Sequence, residues 1–160
     1  MGDRRRFEGR SVFITGAGSG IGEATAHAFA EEGAKVAIAE LDPARGEAVR
    51  DAIRAKGGTA LFVATDATDE ASVKAAIAAA NEAHGPIAHA FNNIGMSRPC
   101  SIEEMSLEDW NWTISISLTS TFLAMKSEIP VMKANGGATI VNTASTAARL
   151  APTAAPSASA

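Results

Sequence analysis

The chain has 160 residues and a formal net charge of −4, and 46% of its residues are hydrophobic although only 5% are aromatic. That length predicts one domain with a substantial core, and the charge gives no electrostatic basis for binding nucleic acid. The single cysteine, Cys100, excludes an internal disulfide framework, and the sequence shows neither a signal peptide nor an apolar run as long as a membrane span. We therefore expect a cytoplasmic protein with no membrane or nucleic-acid partner.

A glycine-rich loop, TGAGSGIG at residues 15–22, follows a strand that is predicted at residues 11–14. Glycine adopts positive φ freely and lets a ligand come close to the backbone. A loop of this kind that leads from a strand into a helix directs free N–H groups and the positive end of the helix dipole at one point, where an anion can bind. The alternative for the glycines alone is a tight turn.

The residues after the loop are typical of an amphipathic helix. Its apolar stripe has the spacing i, i+3, i+4, i+7, i+8 and consists of Ile21, Ala24, Thr25, Ala28 and Phe29. We expect this stripe to face the core and Gly33 to cap the end of the helix. A strand predicted at residues 35–39 follows and ends at Glu40. An acidic side chain roughly twenty residues beyond the glycines is placed to accept hydrogen bonds from a ribose diol, so this segment predicts a dinucleotide site.

Helices and strands continue to alternate in the next part of the chain. Asp42 and Pro43 are typical of an N-cap and a first helical residue. The apolar face of that helix is predicted to contain Ala44, Ala48, Ala52 and Ile53. Strands are predicted at residues 60–64 and 87–91, with a helix capped by Thr68 between them. The core face of this second helix is predicted to contain Val73, Ile77, Ala80 and Ala83.

A long helix and a fifth strand complete the alternation. The pattern Ser106-x-x-Asp109 predicts a capping box. An apolar stripe with helical spacing follows it: Trp110, Ile114, Leu118, Phe122 and Met125. Pro130 is expected to kink or end this helix, and residues 138–143 to form the fifth strand. Strands that alternate with helices predict a parallel sheet with right-handed crossovers.

Four motifs in chain order carry a resemblance to a known family. The glycine loop has the spacing Thr-Gly-x-x-x-Gly-x-Gly, with Ile21 where the common dinucleotide fingerprint has its third glycine. The other motifs are Asp-Ala-Thr-Asp at residues 66–69, Asn-Asn-Ile-Gly at residues 92–95 and Ile-Val-Asn-Thr-Ala-Ser at residues 140–145. Together with Trp110 they resemble the short-chain dehydrogenase/reductase family over essentially the whole chain.

The resemblance implies an α/β fold. It is a three-layer, doubly wound parallel sheet of the Rossmann-like type with strand order 3-2-1-4-5, lacking the family's last strands. The cofactor then lies across the switch point between strands one and four. Residues 1–160 form one NAD(P)-binding domain in this interpretation, with a low-complexity tail at residues 151–160.

The resemblance also implies a cofactor. NAD is expected rather than NADP, because Glu40 would repel a 2′-phosphate and no arginine directly follows it. Glu40 would bind the adenosine ribose and Asp66 the adenine amino group, while Asn92 would line the adenosine pocket. The cofactor-binding residues that the resemblance implies are Gly16, Gly18, Ser19, Gly20, Ile21, Gly22, Glu40, Asp66, Ala67 and Asn92.

Most of the family's catalytic residues are missing from this sequence. Members of the family use a tyrosine as acid/base, a lysine four residues later, an asparagine on the preceding helix and a serine that orients the substrate oxygen. Ser145 stands at the serine position, but Ser117 stands at that of the asparagine. The tail places Pro156 and Ala160 at the tyrosine and lysine, or Ala158 at the tyrosine if the spacing is counted from Ser145, and the chain contains no tyrosine. A serine alone orients a substrate but is too weak an acid for proton transfer, and Ser145 is also interpretable as a polar residue that ends a strand.

Three interpretations of function stay open. The first is an NAD-dependent oxidoreductase that transfers hydride between the cofactor and a small-molecule alcohol or ketone, catalytically impaired as written. The second is a non-catalytic dinucleotide-binding module, and the third is a truncated or altered product whose last residues are not native. In the family the helix at residues 106–129 forms half of a subunit interface, so we expect a homo-oligomer or a self-associating chain. The three histidines share no ligand spacing, so no metal site is expected.

Overall fold

A parallel β-sheet forms the centre of the fold. The computed structural model describes residues 5–96, 98 and 100–145. In these ranges the strands are β1 (Ser11–Thr15), β2 (Lys35–Glu40), β3 (Thr59–Ala64), β4 (Ile87–Asn92) and β5 (Thr139–Asn142). The helices are α1 (Gly20–Glu31), α2 (Pro43–Ala55), α3 (Glu70–His84), α4 (Leu107–Ile114) and α5 (Ser120–Ala134), and a π-helical turn (Ser115–Thr119) joins the last two. All the predicted strands are present in this part of the chain.

The strand order is β3-β2-β1-β4-β5, and all neighbouring strands run parallel. This order confirms the predicted doubly wound sheet. Val12 of β1 pairs with Val36 of β2 on one side and with His89 of β4 on the other. The chain therefore moves outward from β1 to β2 and β3, then returns to place β4 and β5 on the opposite side. The carboxyl ends of β1 and β4 lie side by side, and the chain leaves them in diverging directions.

Two hydrophobic clusters pack on opposite faces of the sheet, because successive side chains of a strand alternate between its faces. On one face Ile14 belongs to a cluster that includes Ile53 of α2 and is also covered by α1. On the other face Phe13 belongs to a cluster that includes Ile77 of α3 and Met132 of α5. The helices thus form the outer layers of a three-layer fold, as the sequence predicted.

The predicted core face of α1 is only partly correct, because Phe29 of the stripe packs against the core but three of the five stripe residues are exposed. The buried residues of α1 are Gly22 and Ala26, whereas Ile21 of the predicted stripe is 66% exposed. A Cβ atom added to Gly22 would overlap the carbonyl oxygen of Gly16. The helix therefore packs on the loop and the sheet through its smallest residues, and much of its apolar stripe stays outside the core.

The predicted face of α2 is also only partly correct. The buried residues are Gly46, Val49 and Ile53. The predicted positions that are exposed are Ala44, Ala48 and Ala52. A Cβ atom on Gly46 would overlap the ring of Phe62, so the absence of a side chain lets that ring pack directly on the helix backbone. Close approach again decides which face of the helix is turned inward.

Two of the three predicted helix N-caps are confirmed. The side chain of Asp42 caps α2, and Ser106 Oγ accepts a hydrogen bond from the N–H of Asp109 at 3.0 Å. In α3 the cap is Asp69 rather than Thr68, because Asp69 Oδ1 accepts the first-turn N–H of Ser72 at 2.7 Å. A side-chain oxygen does cap the helix, as predicted, but the helix begins one residue later than predicted.

The long helix after residue 106 does not end at Pro130, since α5 continues to Ala134. Its irregular point is the π-helical turn, which lies fifteen residues earlier at Ser115. Leu118 and Phe122 of the predicted stripe are 57% and 58% exposed. No helix in the described part of the chain combines the length and the apolarity that crossing a membrane requires.

Candidate functional site

The candidate site lies at the carboxyl end of the sheet, between the loops that leave β1 and β4. The N–H of Asn93 donates to Thr15 Oγ1 at 3.1 Å. A Cβ atom on Gly16 would lie 2.9 Å from Ile94 Cγ1, so the two loops are in direct contact. The structure thus brings together the glycine loop and the Asn-Asn-Ile-Gly motif, which are more than seventy residues apart in the chain.

The glycine loop bends sharply into α1. Gly16 has φ +65° and Gly20 has φ +55°, a left-handed conformation that glycine adopts at least cost. Ser19 is the N-cap of α1, and within the described residues its side chain makes no capping hydrogen bond. A Cβ atom on Gly20 would meet none of the described atoms within 4 Å. The start of α1 is the positive end of the helix dipole, and the space beside Gly20 is open to an anion.

Glu40 is the acidic residue that the structure places beside this loop. Its Oε2 accepts the N–H of Gly18 at 3.0 Å, and its Oε1 accepts the N–H groups of Leu41 and Asp42 at 3.0 and 3.1 Å. A Cβ atom on Gly18 would lie 2.6 Å from Glu40 Cγ. Gly18 is therefore small because the Glu40 side chain packs against it, a reason that the sequence analysis missed. Oε1 already accepts two hydrogen bonds, whereas Oε2 still has lone-pair capacity for a further donor.

The loop after β3 lies next to Glu40. The N–H of Thr65 donates to the Glu40 carbonyl oxygen at 2.9 Å. Asp66 is exposed, and its Oδ1 accepts hydrogen bonds from the N–H and the hydroxyl of Thr68 at 2.9 and 2.7 Å. Ala67 is buried beside it. Asp66 therefore shapes its own turn, and its contact with an adenine amino group stays a prediction.

Asn92 ends β4, and its side chain is turned into the protein. Asn92 Nδ2 donates to Glu128 Oε2 at 3.1 Å and to Asn142 Oδ1 at 3.0 Å. Its backbone oxygen accepts the N–H of Thr143 at 2.9 Å. These bonds tie the ends of β4 and β5 to α5. The expected role of Asn92 in lining an adenosine pocket is not tested by this arrangement, which shows a structural use for its amide.

Glu128 is a feature of the site region that the sequence analysis missed. It lies in α5, is fully buried and touches the end of β4 through Asn92. Burial raises the pKa of Glu128 to about 7, and the hydrogen bond from Asn92 opposes this rise. A helical periodicity could have revealed it, because the buried positions of this helix include Ser120, Leu123, Ala124 and Ser127. The apolar stripe through Phe122 lies on a different, exposed face of the helix.

The catalytic positions are placed only in part. Ser145 is exposed and lies three residues beyond β5. Ser117 lies in the π-helical turn, where its Oγ accepts the N–H of Met96 at 3.2 Å and donates to the Met96 carbonyl oxygen at 2.9 Å. Residues 156, 158 and 160 lie outside the described ranges. Over residues 5–96, 98 and 100–145, no group of three His, Cys, Asp or Glu side chains is placed to hold a metal ion.

Comparison with known proteins gives a consistent result. A family model described as short chain dehydrogenase matches residues 10–160. The chain is 44% identical over 140 residues to 2,5-dichloro-2,5-cyclohexadiene-1,4-diol dehydrogenase of Sphingobium indicum, and 38% identical over 143 residues to cyclohexanol dehydrogenase of an Acinetobacter species. These matches cover 88% and 89% of this chain but 56% and 57% of the relatives. The chain therefore spans about half the length of the curated relatives that it matches.

Solved structures resemble the chain over a similar extent. A short chain dehydrogenase/reductase from Burkholderia phymatum in complex with NAD superimposes with a TM-score of 0.87 at 36% identity, covering 91% of this chain and 52% of that one. A 7α-hydroxysteroid dehydrogenase complexed with NADH and 7-oxo glycochenodeoxycholic acid gives 0.88 at 31% identity, covering 94% and 58%. The likeness extends over nearly all of this chain and little more than half of each neighbour.

Proposed function

We propose that this chain, which belongs to the short chain dehydrogenase family, binds a nicotinamide dinucleotide across the carboxyl ends of β1 and β4. The observation that carries the proposal is the contact between the glycine loop and Glu40, which Gly18 makes possible. The glycine loop is suited to bind a pyrophosphate, and the Glu40 carboxylate beside it is suited to bind a ribose. A solved structure that the chain resembles is a complex with NAD, which supports the same assignment.

The glycine loop and the start of α1 would hold the pyrophosphate. Gly16 and Gly20 supply the left-handed turns, and Gly22 lets α1 approach the loop closely. The first-turn N–H groups then point at the phosphates, with Ser19 and Ile21 beside them. Such a cofactor would supply the hydride acceptor or donor of the reaction, while the residues of this chain bind and orient it.

Glu40 would set the preference for NAD(H) over NADP(H). Its carboxylate would accept the ribose hydroxyls, whereas the 2′-phosphate of NADP(H) would place like charges in contact. Asp66 and Ala67 would then border the adenine. The preference is expected to be at least about tenfold in affinity, because even a screened repulsion of about 1.4 kcal/mol gives that factor.

Titration of the chain with NADH and NADPH, followed by nucleotide fluorescence, measures this preference. Glu40→Ala is expected to reduce the difference between the two affinities, because it removes the hydrogen bonds to the ribose of NADH and the repulsion of the 2′-phosphate of NADPH. Glu47→Ala is the matched control, since Glu47 is an exposed acid on α2 whose side chain pairs with Arg50. Tighter binding of NADPH than of NADH by the unaltered chain would overturn the assignment of Glu40.

The substrate class is proposed from the relatives. Two of them are named as dehydrogenases of cyclohexanol and of 2,5-dichloro-2,5-cyclohexadiene-1,4-diol. We extend that chemistry to a small alcohol, which would be oxidised to a carbonyl compound with transfer of hydride to the bound cofactor and release of one proton. Ser145 would orient the substrate oxygen, because it follows β5 at the same end of the sheet as the glycine loop.

The 160-residue chain itself is expected to give no measurable turnover. It has no tyrosine to donate or accept the proton, and a missing general acid–base group lowers a rate by roughly 10²- to 10⁴-fold. A second function, dinucleotide binding without catalysis, is favoured by the same observation. An NADH absorbance assay over a panel of alcohols and ketones distinguishes the two, since clear protein-dependent turnover would show that another group moves the proton.

A further inference from the structure

The pairing of Glu128 with Asn92 leaves two acceptors without donors. Glu128 Oε2 accepts from Asn92 Nδ2 at 3.1 Å. Among the described residues, neither Glu128 Oε1 nor Asn92 Oδ1 has a hydrogen-bond partner, although both are buried. These atoms are the amide oxygen of Asn92 and the second carboxyl oxygen of Glu128, and the first bond already joins the two groups. A buried acceptor that lacks a donor destabilises the fold, so two in one pair call for an explanation.

A single proton satisfies both atoms. A carboxylate offers only acceptors, so an ionised Glu128 cannot bond to an amide oxygen. A carboxylic acid that carries its proton on Oε1 can donate to Asn92 Oδ1 while Oε2 accepts from Nδ2. The result would be a cyclic acid–amide pair with two hydrogen bonds. The other amide hydrogen of Asn92 stays free for Asn142, as observed.

The charged groups near α5 do not provide an alternative partner. Lys126 is on the same helix but pairs with Glu70 of α3, at 3.0 Å, and Glu70 also pairs with Lys74. On β4 the ring of His89 contacts Thr139 Oγ1 at 2.6 Å. On α3, Glu82 is exposed and the pKa of His84 is lowered by its burial. Within the described ranges no ion pair involves Glu128, so no cation in this part of the chain holds it ionised.

We propose that Glu128 is a positioning residue that acts as a neutral carboxylic acid, bonding the side chain of Asn92 so that residues 93–95 are held against Gly16. The path is short. Asn92 is fixed by Glu128, the next residue donates its N–H to Thr15 Oγ1, and Ile94 lies against Gly16. Because this loop borders the proposed pyrophosphate site, the inference rests on the proposed function for its effect on cofactor affinity.

Cofactor affinity tests the positioning role. Glu128→Gln keeps one donor and one acceptor, so its affinity for NADH is expected to stay within about twofold of the unaltered chain at about pH 6. Glu128→Leu fills a similar volume without hydrogen bonds, and is expected to weaken NADH binding about tenfold. Glu82→Gln is the control, since it makes the same side-chain substitution at an exposed position. Equal affinities of the Gln and Leu variants would overturn the positioning role.

The pH profile distinguishes an acid–amide pair from a purely structural contact. Raising the pH from about 6 to about 8.5 ionises the carboxyl and is expected to weaken NADH binding by the unaltered chain about tenfold, whereas the Glu128→Gln variant should stay flat. A profile of the same shape in both proteins would count against the proposal.

Infrared spectroscopy gives a readout that needs no cofactor. At about pH 6 the unaltered chain should show the carbonyl band of a buried protonated carboxylic acid, and Glu128→Gln should lack it. If the band is present but neither NADH nor NADPH binds, the proposed function fails while the protonated pair stands. If the band is absent at that pH, the pair itself is refuted, whatever the cofactor affinity.

Discussion

The buried carboxyl of Glu128 is expected to make the stability of the fold depend on pH. Its pKa rises from an ordinary 4.5 to about 7 because burial disfavours the charged form. The folded protein therefore holds this proton more tightly than the unfolded chain does. Stabilisation by the protonated group is fully present below about pH 4.5 and is lost as the pH rises through about 7.

The size of the effect follows from the same pKa. Each tenfold change in proton affinity corresponds to about 1.36 kcal/mol, so the folded state loses about 3 kcal/mol between about pH 4.5 and 7.5. Domains of this size are stable by about 5–15 kcal/mol in total. A loss of that magnitude lowers the melting temperature by about 6–12 °C.

Thermal melts followed by circular dichroism measure the effect as a difference between the unaltered chain and Glu128→Gln. The difference is needed because burial lowers the pKa of His84 and of His89, which weakens the fold as the pH falls below about 6.5 in both proteins. The same substitution at an exposed position, Glu82→Gln, serves as the control. We expect the unaltered chain to lose stability relative to Glu128→Gln as the pH rises from about 5.5 to 8.5. A difference in melting temperature that does not change over this interval would refute a protonated Glu128.

Two further predictions concern Gly18 and self-association. Gly18→Ala places a methyl group against Glu40, so we expect a loss of about 1 kcal/mol in stability and about tenfold weaker NADH binding. The control is Gly95→Ala, whose added Cβ would meet none of the described atoms within 4 Å and which should melt normally. Unchanged NADH binding by Gly18→Ala would contradict the role of the contact with Glu40. Leu118 and Phe122 are exposed, and among the described strands β5 pairs only with β4, which leaves its other edge unpaired. The isolated chain is therefore expected to self-associate. Light scattering that shows a monodisperse monomer, together with a cooperative thermal melt, would refute this.

Most of the fold was predictable from the sequence because its signals are local. The caps at Asp42 and Ser106 are set by bonds within a few residues. The strand order came from the resemblance carried by the four motifs, which the structure confirms. The position of Glu40 at the end of β2 was likewise predictable, since it depends only on spacing along one β-α-β unit.

The tertiary structure decided which helix faces are buried and what the polar side chains of the site contact. The rotation of α1 follows from the close approach of Gly22 to the glycine loop, which outweighs the count of apolar residues on its other face. Glu40 reaches Gly18 across 22 residues, and Glu128 reaches Asn92 across 36. Such contacts depend on how elements pack in three dimensions, and neither periodicity nor propensity carries that information. Periodicity can place Glu128 on the buried face of α5, but only the tertiary structure shows that its partner is Asn92 on the sheet.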